Sequence, residues 1–247
     1  MYKLFLLLLL APLAAAQTLR LAAAADLQPA MPPILQEFEA KNHVHVDASY
    51  QSSATLTTQI QNGAPFDLFM AADLSYPQRI VAAGLADSDP PVVYARGTVV
   101  LWTRNDSPFR QLSVDTLRDP ALKTIAIANA EHAPYGRAAE ASLKSLGLYD
   151  QLKPKFVTAE NIAQTAQYVD SGNAQVGLIS LTSALTERLH ASGHYIAMPR
   201  ESYPPILQGA VVLKNSANRT AAHQLLDFLL SPAVQKELAA RGLEPPH

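Results

Sequence analysis

Short runs that are apolar, β-branched or alanine-rich alternate with segments of helical period through most of the 247-residue chain. This alternation constrains the fold more than any other feature, because a strand followed by a covering helix is the repeating unit of a parallel α/β sheet and of no all-β or bundle fold. The runs Leu19–Ala24, Val44–Ala48, Leu68–Ala71, Gly97–Thr103, Thr124–Ala128, Lys155–Val157, Val176–Ile179, Tyr195–Met198 and Gln208–Lys214 predict strands. Helical period over Ala54–Asn62, Tyr76–Ala83, Pro134–Leu146, Asn161–Ser171, Thr182–Ala191, Thr220–Leu230 and Pro232–Ala240 predicts the helices. Pro134 suits a first helical position, where its missing N–H would have had no partner anyway, and Gly172 suits a left-handed stop. Pro29, Pro32 and Pro33 fall where the first helix should run, so that helix is expected to start irregularly or to kink.

The N-terminus reads as an export leader: Lys3, an apolar run from Leu4 to Leu10, then Ala14-Ala15-Ala16, with cleavage expected after Ala16. The run is too short to span a bilayer, and nothing else approaches the roughly 20 apolar residues a span needs. An exported chain without cysteine has no disulfides and no lipid-anchoring thiol, so a periplasmic protein stabilised by core burial alone is expected. The formal net charge is −2, and loss of Lys3 with the leader makes it −3. That balance argues against nucleic acid as a partner.

Four strand-to-helix junctions carry small, hydroxyl or flexible residues: Ala24-Ala25-Asp26, Gln51-Ser52-Ser53-Ala54, His132-Ala133-Pro134-Tyr135-Gly136 and Ala159-Glu160-Asn161-Ile162. A fifth, Ile179-Ser180-Leu181-Thr182, is similar. Taken singly, Ser, Asp or Asn at such a place is a helix cap. Taken together, junctions beyond the carboxyl ends of strands form an anion-binding geometry, since helix N-termini offer free N–H groups and partial positive charge.

The motifs Ala22-Ala23-Ala24-Ala25-Asp26-Leu27, Tyr50-Gln51-Ser52-Ser53-Ala54-Thr55-Leu56, Gly63-Ala64-Pro65-Phe66-Asp67-Leu68-Phe69, Ala72-Asp73, Glu131-His132-Ala133-Pro134-Tyr135-Gly136 and Gln208-Gly209-Ala210-Val211 occur in this order. In them the chain resembles the periplasmic molybdate-binding proteins of ABC transporters over nearly all its mature length. The resemblance implies a two-lobed type II periplasmic binding protein, each lobe a mostly parallel sheet flanked by helices. Residues 17–95 plus 208–247 would form the first lobe and residues 96–207 the second. It also implies a molybdate or tungstate oxyanion held between the lobes, an ABC-transporter membrane permease as partner, a monomer, no resident cofactor and no enzymatic activity.

By the same resemblance Asp26, Ser53, Tyr135, Ile162 and Ser180 are the ligand-binding positions, with Tyr135 and Ile162 acting through their backbone N–H groups. Two of them depart from the best-known pattern, Asp26 standing for a serine hydroxyl and Ser180 for a tyrosine hydroxyl. An ionised carboxylate about 4 Å from the anion would repel each unit of its charge by roughly 4 kcal/mol at an effective dielectric of 20. Three arrangements would relieve this: Asp26 turned inward as a helix cap, Asp26 accepting a proton from a protonated oxyanion such as hydrogen phosphate, which would change the substrate, or pairing with Arg96 or Arg137. The first is the expectation here, because aspartate is among the best caps. Phosphate, phosphonate or sulfate is the alternative ligand.

Other constellations carry less. His43 and His45 alternate on an expected strand and His190 and His194 are four apart, yet neither pair has the further ligands that structural zinc needs. An exported hydrolase is the reading from another class, but Ser53 with an unidentified histidine is its sole candidate, and no nucleophile elbow, zinc-helix or phosphate-loop motif occurs. Asp67 and Asp73 flank a short strand and are expected to shape its ends.

Overall fold

The computed structural model describes residues 17–87 and 90–246. The expected leader, Met1 to Ala16, lies outside them. Among the described residues no helix is long and apolar enough to cross a membrane.

Two five-stranded sheets are each covered by helices. The first sheet is built from β1 (Gln17–Ala24), β2 (Val44–Gln51), β3 (Leu68–Ala71), β4 (Val92–Gly97) and β10 (Ile206–Val212) in the order β2-β1-β3-β10-β4. The second contains β5 (Val99–Arg104), β6 (Ile125–Ala128), β7 (Phe156–Ala159), β8 (Val176–Ser180) and β9 (Gly193–Ala197), in the order β7-β6-β8-β5-β9. In each sheet three strands run parallel (β2-β1-β3 and β7-β6-β8), while β10 and β5 lie antiparallel to both of their neighbours. The sheets are therefore mixed, the antiparallel strands being those that follow a passage of the chain from one sheet to the other.

Side-chain alternation builds the layers. Along β1, Leu19, Leu21 and Ala23 enter one core with the first helix, while Ala22 faces a second core with Leu56 and Tyr76. Along β5, Val99 and Leu101 pack with Ile127 and Leu143, and Val100 and Trp102 pack on the other face with Val169 and Ile179. Strands apolar on both faces are what a sheet sandwiched between helices requires.

The helices of the first sheet are α1 (Met31–Asn42), α2 (Ser53–Gln61), α3 (Ser75–Ala82), α9 (Arg219–Leu230) and α10 (Pro232–Ala240). Those of the second are α4 (Pro134–Ser145), α5 (Tyr149–Leu152), α6 (Ile162–Asp170), α7 (Leu181–Ala184) and α8 (Glu187–Ser192). The proline conflict resolves as an irregular start: a 3-10 turn over Ala25–Leu27 precedes α1, and Pro32 and Pro33 then fall in its first turn, where no backbone donor is lost. Gly172 has φ +80°, the left-handed stop expected after α6.

Three expectations need correction. The single strand over Gly97–Thr103 is two, because the chain leaves the first sheet at Gly97 and enters the second at Val99. The single helix over Thr182–Ala191 is interrupted where Thr186 accepts the N–H of Leu189 and starts α8 anew. His43 is not on a strand: it closes α1 with φ 54°, so it does not share a face with His45. Among the described residues no group of histidine and carboxylate side chains forms a metal-binding cluster.

Candidate functional site

The carboxyl ends of β1, β2 and β3 point toward the second sheet, and those of β6, β7 and β8 lead into α4, α6 and α7. The lobes meet there. Ala24, Ala25 and Ala72 of the first lobe share one core with Ala133, Tyr135 and Ile162 of the second. The N–H of Ala54 donates to the carbonyl of His132 at 3.3 Å. The hydroxyl of Thr182 donates to the carbonyl of Asp26 at 2.8 Å. Arg137 donates to Asp73 at 2.6 Å and to the Tyr76 hydroxyl at 2.9 Å. These contacts describe a closed interlobe cleft.

Ser52, not Ser53, caps α2: its Oγ accepts the N–H of Thr55 at 3.1 Å. Ser53 is thereby released from capping. Its buried Oγ accepts the N–H of Ala72 at 3.0 Å, which fixes the rotamer and leaves the hydroxyl proton for another acceptor.

Ala133 sits at the cap position of α4 without a side-chain bond, and Pro134 follows as the first helical residue. Among the described residues no protein acceptor faces the N–H groups of Tyr135 and Gly136. At α6, Asn161 caps by accepting the N–H of Gln164 at 3.0 Å, and the Ile162 N–H is likewise without a protein acceptor. Helix N-termini leave such donors over, and here both lie at the lobe boundary. The Ile162 side chain is buried in the core that the two lobes share, so its contribution to the cleft is through the backbone.

Ser180 is placed differently. Its Oγ caps α7 by accepting the N–H of Ser183 at 3.3 Å, and lies 2.8 Å from the Thr182 hydroxyl and 2.9 Å from that of Ser183. Thr182, which the sequence did not single out as a ligand position, is the residue of this junction that reaches across the cleft.

Asp26 does not cap. It is the second residue of the 3-10 turn, whose cap position is Ala24 with no side-chain bond. Nor does it pair with an arginine, since Arg137 is held by Asp73 and Tyr76, and Arg96 makes no bond to it. Its side chain is sealed from solvent, with Oδ2 accepting from the Tyr135 hydroxyl at 3.0 Å and from Gln208 Nε2 at 2.5 Å. Gln208 Oε1 accepts in turn from the Tyr94 hydroxyl at 2.7 Å. Oδ1 has no partner.

Burial pushes the Asp26 carboxyl up to about 6, against the opposing pull of the bonds from Gln208 and Tyr135. The Tyr94 and Tyr135 hydroxyls are pushed well up by burial and by the Asp26 charge, so both are neutral donors. Burial works to raise Asp73 too, but hydrogen bonds from Ser75 and Arg137 outweigh it and hold its carboxyl below the usual range.

Gly97 makes the arrangement possible. A Cβ there would lie 2.2 Å from the Tyr135 hydroxyl oxygen and 3.2 Å from Gln208 Nε2, so only glycine lets β4 pass this close to the network. The sequence did not expose these partners, because Tyr135 and Gln208 lie 109 and 182 residues from Asp26. The available signal was Gln208 itself, an amide in an otherwise apolar strand, where burial demands a partner. Asp67 holds strand ends as expected, accepting from the Arg20 N–H at 2.7 Å and the Ser216 hydroxyl at 2.5 Å. Asp73 does the same at the end of β3, its Oδ1 accepting the Ser75 N–H at 2.8 Å, while its Oδ2 pairs across the cleft with Arg137.

Known proteins share the sequence family and the fold. Residues 19–244 match the family model of bacterial extracellular solute-binding proteins. A molybdate-binding protein ModA of Azotobacter vinelandii is 34% identical over 95% of this chain and 92% of its own length. That of Rhodobacter capsulatus is 35% identical over 90% and 85% respectively. Among solved structures, the Azotobacter vinelandii periplasmic molybdate-binding protein superposes with a TM-score of 0.87 at 28% identity, covering 93% of this chain and 100% of that one. The sulfate-binding protein SubI of Mycobacterium tuberculosis shares the fold, with a TM-score of 0.78 at 19% identity over 93% of this chain and 87% of its own.

Proposed function

The chain belongs to the family of bacterial extracellular solute-binding proteins, and on that premise we propose that it captures molybdate or tungstate in the interlobe cleft and presents it to an ABC-transporter permease. The observation that carries this reading is that the free N–H groups of α4 and α6 and the fixed hydroxyl of Ser53 all lie at the lobe boundary. Such a set binds a tetrahedral oxyanion through neutral donors, as helix N-termini do. The ligand set under this reading is Asp26, Ser53, Tyr135, Ile162 and Ser180. Ser53 donates its hydroxyl proton, Tyr135 and Ile162 donate backbone N–H groups, and Ser180 acts by ordering α7 and Thr182.

The relatives support molybdate over sulfate, because the molybdate-binding ones are alike in sequence whereas the sulfate-binding structure is alike in fold alone. The protein is read as exported to the periplasm, monomeric, without a resident cofactor, and performing no chemistry on the anion. Its two lobes, one around each sheet, are joined where the chain crosses after Gly97 and before Ile206, close to the expected bounds of 95/96 and 207/208; they close over the ligand, and the permease distinguishes the closed form from the open one.

Thermal unfolding of the mature chain in the presence of molybdate, tungstate, sulfate and phosphate tests this. Ligand at a hundredfold its Kd stabilises by about 2.7 kcal/mol, which is several degrees. Molybdate and tungstate should raise the midpoint and sulfate and phosphate should not. A rise with phosphate or sulfate alone would transfer the site to that anion.

A further inference from the structure

Resting on the oxyanion reading above, we propose that Asp26 binds the anion as a carboxylic acid: one proton enters the closing cleft with the anion and is held on Oδ1, which donates to an oxyanion oxygen. The proton comes from solvent, no covalent bond of the anion changes, and the proton returns to solvent when the lobes part.

The two carboxylate oxygens are already differentiated. Oδ2 accepts from both the Tyr135 hydroxyl and Gln208 Nε2, whereas Oδ1 is buried and unbonded. A buried acceptor without a donor is unfavourable, and an ionised one beside an anion is worse. Protonation turns that oxygen into a donor, which reproduces with a carboxyl group what a hydroxyl would do at this junction.

No neighbour offers a counter-charge. The 3-10 turn of Asp26 carries no other ionisable residue. From α4 it meets Tyr135, while the Arg137 side chain is turned to Asp73 and Tyr76. From β4 and β10 the network brings Tyr94 and Gln208. From α7 comes the Thr182 hydroxyl, and at the end of β2 stands Tyr50, whose hydroxyl burial pushes up to about 12. All are neutral around pH 6, so Asp26 is the group of this cluster that changes charge there.

Closure sets the direction of the effect. Tyr135 and Thr182 belong to the second lobe, so opening removes them from Asp26 and admits water, returning the carboxyl toward its ordinary 3.8. Closure alone raises it to about 6, and a bound dianion raises it further by like-charge repulsion. The closed, loaded protein therefore holds more protons than the open, empty one. Anion affinity must fall as pH rises through the window between the two values, by up to about tenfold per pH unit.

Titration calorimetry of the mature chain with sodium molybdate, at about pH 6 in two buffers of different ionisation enthalpy, counts the protons. Wild type should take up about half a proton or more per anion, and Asp26→Asn, an isosteric amide that cannot be protonated in this range, should take up none. Binding with equal apparent enthalpy in the two buffers overturns the proposal while leaving the oxyanion reading intact. Uptake that persists in Asp26→Asn also overturns it, since the proton would then reside on another group. If Asp26→Asn does not fold, the wild-type proton count and its decline toward about pH 8 decide alone. No binding of molybdate or tungstate at any pH removes the oxyanion reading, and this proposal with it.

Discussion

Asp26 is the residue on which chemistry and stability meet. Its carboxyl is raised from 3.8 to about 6 by burial in the ligand-free protein. The unfolded chain, with the lower value, sheds its proton first as pH rises. Between about pH 4 and 6 the folded form holds more protons, so the stabilising contribution is present below about pH 4 and is lost as pH climbs through about 6. A two-unit shift corresponds to a total of about 3 kcal/mol. Asp26→Asn should therefore be less pH-sensitive than wild type over that range, seen as a converging difference in unfolding midpoint toward acid pH. Parallel pH profiles for the two proteins would show that Asp26 is not raised. The sequence identified this residue and the problem it poses, but not its solution: a cap was expected, and the actual partners come from α4 and β10, which no local pattern links to it.

At the scale of the element, the junctions were legible because capping chemistry is local. Ser52, Asn161 and Ser180 all cap the helices they precede. Neighbouring Ser52 and Ser53 divide the labour, and this can be separated by mutation. Ser52→Ala removes a cap, costing about 1 kcal/mol of stability, and should leave anion affinity nearly unchanged. Ser53→Ala strands the buried Ala72 N–H, costing about 1–3 kcal/mol, and should also weaken binding at least tenfold. The reverse pattern in affinity would place the ligand hydroxyl on Ser52. Elements were misread where the cause lay outside them. A period of two runs straight from β4 into β5, because alternation records burial and not which sheet a residue enters. The break between α7 and α8 had a local sign in Thr186, overridden by the helical period around it.

For the whole molecule, the alternation of strands and helices gave the architecture of two helix-covered sheets, whereas the antiparallel strands β5 and β10 depend on where the chain crosses between them. Closure is stabilised by the Asp73–Arg137 pair, whose side chains remain about one-third exposed at 33% and 38%. So exposed a pair contributes at most about 1 kcal/mol. Asp73→Asn should shift the empty protein toward the open form and weaken anion binding by no more than about fivefold, with a larger radius of gyration in solution scattering. A loss of a hundredfold or more would mean that Arg137 itself meets the ligand when Asp73 does not hold it.

Anion capture requires that the cleft be an oxyanion site. Isothermal titration of residues 17–247 with sodium molybdate near neutral pH, after removal of any carried ligand, tests that directly. One-to-one binding with a submicromolar Kd, equivalent to more than about 8 kcal/mol of binding free energy, is the predicted result. The absence of heat, together with no competition by molybdate for any other anion that binds, would contradict it.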